Sequence, residues 1–111
     1  MHKKDESFKD FVLDQLRELD NLEARRMFGS FGLYRDDTFF GIVSRGRLYF
    51  KVDAVSVGAY RKHGMKPFRP TAKQTLKSYY QVPAEIVEDA DELRRWARTA
   101  VDCQTRKANL R

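Results

Sequence analysis

The sequence predicts an α+β domain of two layers in the order α-β3-α-β2-α, with a mainly antiparallel sheet and helices on one face. Three observations carry that expectation. Apolar residues recur at helical spacing near both ends of the chain. Between Arg25 and Val52 the pattern changes to alternation broken by short turns. A second alternating stretch, preceded by two prolines, follows a short helical segment.

The first helix rests on Phe8, Phe11, Val12, Leu16 and Leu19, with Asp10, Asp14, Gln15 and Glu18 on the other side. Asp5 or Ser7 stands near its start, and Asp20-Asn21 suits its end. In MFGSFGLY, residues 27–34, Met27, Phe31 and Leu33 share one parity and Phe28, Ser30 and Tyr34 the other, which reads as a first strand. Arg35-Asp36-Asp37 reads as a hairpin turn, TFFGIVS (38–44) as a second strand, Arg45-Gly46 as a tight turn and RLYFKV (47–52) as a third strand. Asp53 is placed to cap a helix through AVSVGAYRKH, ended by Gly64 in the left-handed conformation. Pro67 and Pro70 confine the next strand to a sheet edge, because proline donates no ladder hydrogen bond. TLKSYYQV (75–82) alternates again and Pro83 closes it. A last helix, about residues 91–107, carries Leu93, Trp96, Ala97, Ala100 and Val101 on one face. Its acidic start and its Arg106-Lys107 end suit the helix dipole.

At 111 residues the chain has the size of one domain, with a core over about residues 8–101 and a basic C-terminal tail at 102–111. An apolar fraction of 41% and 14 aromatic side chains support a packed core. The single cysteine, Cys103, excludes an internal disulfide and a cysteine-pair metal motif, and fits a reducing cytoplasm. The N-terminal MHKKDESFKD lacks an apolar signal core, and no apolar run approaches the roughly 20 residues of a membrane span. The net charge of +6 is concentrated in the middle of the chain. Residues 21–80 carry 12 Lys or Arg against 4 Asp or Glu, whereas residues 1–20 carry 4 against 6 and residues 81–111 carry 6 against 6. A basic middle attracts nucleic acid or an acidic partner, although solubilising charge looks the same in sequence.

Little in the sequence suggests catalysis. His2 and His63 lack a second ligand at metal-binding spacing, so neither a metal nor a cofactor is expected. Ser30, Ser44, Ser56, Ser78 and Cys103 stand in no nucleophile motif. Asp36-Asp37 and Glu88-Asp89 are explained as turn and helix-start residues. The glycines of GSFG precede another strand rather than a helix, so the context of a phosphate loop is missing. They are read as a bulge or a close crossing.

The sheet offers a sharper expectation. With Met27, Phe31, Leu33, Phe40, Ile42, Leu48, Phe50 and Val52 facing the helices, the other face presents Arg26, Phe28, Tyr34, Phe39, Arg47, Tyr49 and Lys51, joined by Lys77 and Tyr79. Aromatics interleaved with Arg and Lys serve either a protein partner, including a second copy of the chain, or a single nucleic-acid strand. The partner surface is the first reading and direct nucleic-acid contact the alternative.

Arg26-Met27-Phe28-Gly29, Gly32-Leu33-Tyr34, Leu48-Tyr49-Phe50-Lys51, Pro67-Phe68, Tyr80-Gln81-Val82-Pro83 and Leu93-x-x-Trp96-Ala97 occur in this order. As an ordered set over about residues 8–101, they resemble the N-terminal domain of the TfoX/Sxy family of bacterial competence regulators. The resemblance implies the same α-β3-α-β2-α order and a non-enzymatic regulatory or protein-interaction role in DNA-uptake competence. It also implies a transcription regulator of catabolite-activator type as partner, and it carries no catalytic residue or cofactor. Ser30 stands where the family pattern often has a second glycine, and full regulators of the family carry a further C-terminal domain.

Overall fold

The computed structural model describes the backbone of residues 2–109 and the side chains of residues 5–105. The elements in chain order are α1 (His2–Gln15), β1 (Leu22–Met27), β2 (Ser30–Arg35), β3 (Thr38–Ser44), β4 (Arg47–Lys51), α2 (Val57–Lys62), β5 (Pro67–Thr71), β6 (Gln74–Gln81), α3 (Ala84–Val87) and α4 (Ala90–Asn109). One six-stranded sheet runs in the order β1-β2-β3-β4-β6-β5, with every neighbouring pair antiparallel. The α+β class is as expected. β5, which holds both prolines, lies at a sheet edge.

Two elements exceed the expected order. The first block has four strands rather than three, because Phe28-Gly29 is a turn inside MFGSFGLY and not part of a strand. Met27 pairs with Ser30, and both intervening residues have positive φ, +48° at Phe28 and +80° at Gly29. Positive φ at both central residues is the geometry of a two-residue type I′ hairpin, whose twist matches that of its strands. Asp36-Asp37 and Arg45-Gly46 repeat it between Arg35 and Thr38 and between Ser44 and Arg47. The second addition is the single-turn α3 after Pro83. The last helix, expected over about residues 91–107, runs from Ala90 to Asn109 and so takes in most of the segment assigned to the basic tail.

α2 is shorter than expected. Asp53 accepts hydrogen bonds from the backbone N–H groups of Val55 and Ser56, yet regular helix starts only at Val57. The weak helix formers Val55 and Ser56 account for the late start. Gly64 ends this segment with φ +75°, as the sequence reading requires.

The helical layer buries one face of the sheet. Val12 of α1, Leu16 just after it, Tyr60 of α2, Ile86 of α3 and Leu93, Ala97 and Ala100 of α4 pack with Phe31, Leu33, Phe40, Val43, Leu48, Phe50 and Val82. Burial of these side chains drives folding at roughly 25 cal/mol per Å² of apolar surface. A bulge shifts the expected parity in β3. Leu33 pairs with Gly41 but Tyr34 with Phe39, so Phe40 is an extra residue turned to the helices. Val43 therefore faces the helices, and Ile42, expected there, belongs to the opposite face.

Candidate functional site

The opposite face is not the open platform expected. Ile42, Tyr49, Phe68 and Tyr79 form a second buried cluster, with Met27, Phe39 and Leu76 packed against it. Phe68 and Tyr49 stand two strands apart, which in a flat sheet is roughly 10 Å. Their ring centroids are nonetheless 4.5 Å apart, over the intervening β6. The register of β5 on β6 jumps from Tyr80 to Leu76 between Pro67 and Phe68, an irregularity of the kind that bends a sheet edge. Aromatic side chains thus close most of this face by packing on one another.

The sequence-predicted surface residues divide into groups. Tyr49, Lys51 and Tyr79 are only 7%, 8% and 7% exposed. Lys51 Nζ lies 5.6 Å from the Tyr79 ring centroid, and Tyr79 packs at 5.4 Å against Phe39. Burial pushes the Tyr79 hydroxyl up to about 12, the nearby Tyr34 adds to the shift, and a hydrogen bond from Gln104 opposes it. Tyr34 is half-buried against Phe39, with the Arg25 guanidinium 4.1 Å from its ring centroid. Arg25 is itself held by Glu23 and Asp37. Arg26 and Met27 exchange the faces assigned to them. Arg26 turns to the helical side, where it pairs with Glu6 and lies over Phe31, while Met27 joins the second cluster. Lys77 is exposed on β6. Phe28 and Arg47 lie elsewhere, on one end of the sheet.

That end carries a cleft of about 340 Å³. Phe28, Ser30, Ser44, Arg45, Arg47, Tyr49, Phe68 and Arg69 line it, with Asp5 at one side. Three local structures build it. The β1–β2 turn raises Phe28, whose side chain is fully exposed, at the rim. The β3–β4 turn supplies Arg45 and brings Arg47 to the start of β4. The edge strand β5 adds Arg69 between its two prolines, beside Phe68. Ser30 and Ser44 hydroxyls join at 2.9 Å across β2 and β3.

The electrostatics of the cleft are one-sided. The Asp5 carboxylate accepts hydrogen bonds from the backbone N–H groups of Gly46 at 2.8 Å and Arg45 at 3.2 Å. Successive N–H groups in a turn make an anion-binding concavity, and Asp5 fills this one from α1. Arg45, Arg47 and Arg69 form no ion pair among the described residues. Arg69 donates instead to the Ala72 carbonyl oxygen. A second cleft of about 360 Å³ shares Arg47, Tyr49 and Arg69 and adds Lys66, Pro67 and Gln81. Together they form a basic groove across the ends of β2, β3, β4, β6 and β5. Sequence reasoning found Phe28, Arg47 and Tyr49 but missed Arg45, Arg69 and Phe68. Only Arg45 had a local signal, its position in a tight turn. No helix among the described residues is long and apolar enough to cross a membrane.

The model of the TfoX N-terminal domain family matches residues 14–104. Protein Sxy of Escherichia coli (strain K12) is 28% identical over 100 residues, covering 88% of this chain and 48% of that protein. DNA transformation protein TfoX1 of Aliivibrio fischeri (strain ATCC 700601 / ES114) is 27% identical over 116 residues, covering 96% of this chain and 54% of that protein. The chain thus spans about half the length of these relatives. The motifs that carried the resemblance lie in the strands, turns and helices of the fold just described, except Val82-Pro83, which link β6 to α3. With the family match running from α1 into α4, the chain belongs to the TfoX N-terminal domain family.

Proposed function

We propose that this chain is a non-enzymatic regulatory module that acts in the control of DNA uptake by binding a transcription regulator. The observation that carries the reading is the family match over residues 14–104, together with a DNA transformation protein among the relatives. The site chemistry supports it. The described cleft gathers guanidinium groups and an exposed ring, which suit recognition, and its two serine hydroxyls hydrogen-bond each other rather than a base. Among the large apolar side chains in the family-like motifs, Phe28 is the one that is fully exposed, so it contributes to recognition rather than to the core.

The test is expression of the chain in a naturally transformable bacterium deleted for its own family member. The expected result is a rise in uptake-gene transcripts over an empty vector, with a retarded band when the purified chain is mixed with the host's catabolite-activator-type regulator. Unchanged transcripts despite normal protein levels reject the regulatory role.

A further inference from the structure

We propose that the basic groove at the Phe28 end of the sheet is a seat for a single nucleic-acid strand, with Phe28 stacking on a base and Arg45, Arg47 and Arg69 contacting phosphates. Among the described arginines outside the groove, Arg17, Arg25, Arg26, Arg94 and Arg95 each hold a carboxylate. Arg35, Arg61 and Arg98 hold none, but they lie outside this groove. Only here, among the described residues, do three guanidinium groups line one cleft with none of them in an ion pair; Asp5, the one carboxylate in the lining, accepts from the turn N–H groups instead. Guanidinium groups match phosphate geometry, and a phosphodiester strand supplies closely spaced charge.

Phe28 supplies the second, independent observation. It takes a left-handed conformation that bulky side chains disfavour, and its ring meets no aromatic partner among the described residues. The two-residue turn fixes the backbone that carries the ring at the rim of the groove. An acidic peptide would neutralise the arginines but leave this ring in water, whereas a base covers it. From β2 to β5 the groove crosses four strand spacings, roughly 19 Å, the reach of a few extended nucleotides.

The experiment is fluorescence anisotropy of the purified full chain with a labelled oligothymidylate of about twelve nucleotides. Salt is varied over about 50–300 mM. We expect binding whose log K falls with log salt at a slope of about −2, from three neutralised phosphates at roughly −0.7 each. Arg47→Ala should reduce the slope by about 0.7. Phe28→Asn should weaken binding about tenfold and leave the slope intact. Asn accepts the left-handed turn, so circular dichroism of F28N should match the parent chain. No binding at the lowest salt, or an F28N affinity equal to the parent's, overturns the proposal. So does equal affinity for a duplex of the same length, or displacement by oligoglutamate of equal charge as effective as by unlabelled oligothymidylate. Because the transcription assay above can succeed without any oligonucleotide binding, the two readings fail separately.

Discussion

The side-chain amide of Gln104 donates a 2.9 Å hydrogen bond to the main-chain carbonyl oxygen of Phe39. Its Nε2 also lies 3.3 Å from the Tyr79 hydroxyl. Phe39 and Tyr79 belong to the second cluster and its border, whereas α4 packs on the opposite side of the sheet. Gln104 therefore reaches around the strand ends and links the helical layer to the far face. Gln104→Leu keeps side-chain size but leaves the Phe39 carbonyl without this donor. We expect a loss of about 1–3 kcal/mol of stability, read as a lower urea midpoint with an unchanged slope. A midpoint equal to the parent's would show that α4 does not depend on this link.

The Phe28 turn predicts an opposite effect on stability and recognition. A bulky residue in the left-handed region costs roughly 1–2 kcal/mol, and Asn is among the residues that type I′ turns favour. Phe28→Asn should therefore stabilise the chain by about 1 kcal/mol, raising the thermal midpoint by about 4 °C. The same substitution removes the exposed ring from the proposed groove. A variant that melts higher yet loses oligonucleotide affinity would identify Phe28 as a residue kept at a cost to stability. A lower midpoint would show that the ring supports the fold through contacts the turn geometry does not reveal.

Two glycines make a contrasting pair. A Cβ at Gly41 would lie 3.1 Å from Phe50 Cδ1 and 3.1 Å from the Tyr49 backbone oxygen, and 3.3 Å from Leu33 Cδ1. The backbone contact cannot rotate away, so Gly41→Ala should cost about 1–3 kcal/mol. Gly58 lies in α2, and a Cβ there would meet nothing within 4 Å. Gly58→Ala should stabilise by about 0.5–1 kcal/mol, because alanine is the better helix former. Equilibrium unfolding of both variants decides the matter. A tolerated G41A would mean that the β3 bulge relaxes to admit the methyl group.

The same details explain which features were legible in the sequence. Arg45-Gly46 announces a turn through its glycine, and Pro67 and Pro70 announce an edge through their missing donors. Phe28-Gly29 announces less, since phenylalanine is not a turn residue and MFGSFGLY alternates acceptably as one strand. The glycines serve separate purposes: Gly29 supplies positive φ, while a Cβ at Gly32 would meet the Phe39 and Tyr34 rings at 3.1 Å. The reading of a close approach was therefore sound for Gly32 and not for Gly29. The face of Ile42 was illegible because one bulged residue, Phe40, reverses the parity of all that follows in β3. Closure of the second face depended on Phe68 reaching Tyr49 across β6, a tertiary contact with no local pattern. Arg69 was hidden for the same reason, since only the edge strand's position brings it beside Arg47.

Tyr79 predicts how stability should respond to alkaline pH. Burial raises its hydroxyl from 10.0 to about 12 in the folded chain, and burial raises Tyr60 as well. A phenol with a raised folded value binds its proton more tightly when folded. Its contribution is therefore fully present below the unfolded value of about 10. It declines as pH rises towards 12, because the unfolded chain loses the proton first. The urea midpoint should be flat from about pH 8 to 9 and fall progressively above about pH 10. Tyr79→Phe removes one of the two titrations and should make the fall shallower, although losing the hydroxyl also removes an acceptor from Gln104. The slope with pH separates those effects, since a lost hydrogen bond lowers the midpoint equally at pH values where neither phenol titrates. A decline equally steep in the parent and the Tyr79→Phe chain would exclude Tyr79 as its source.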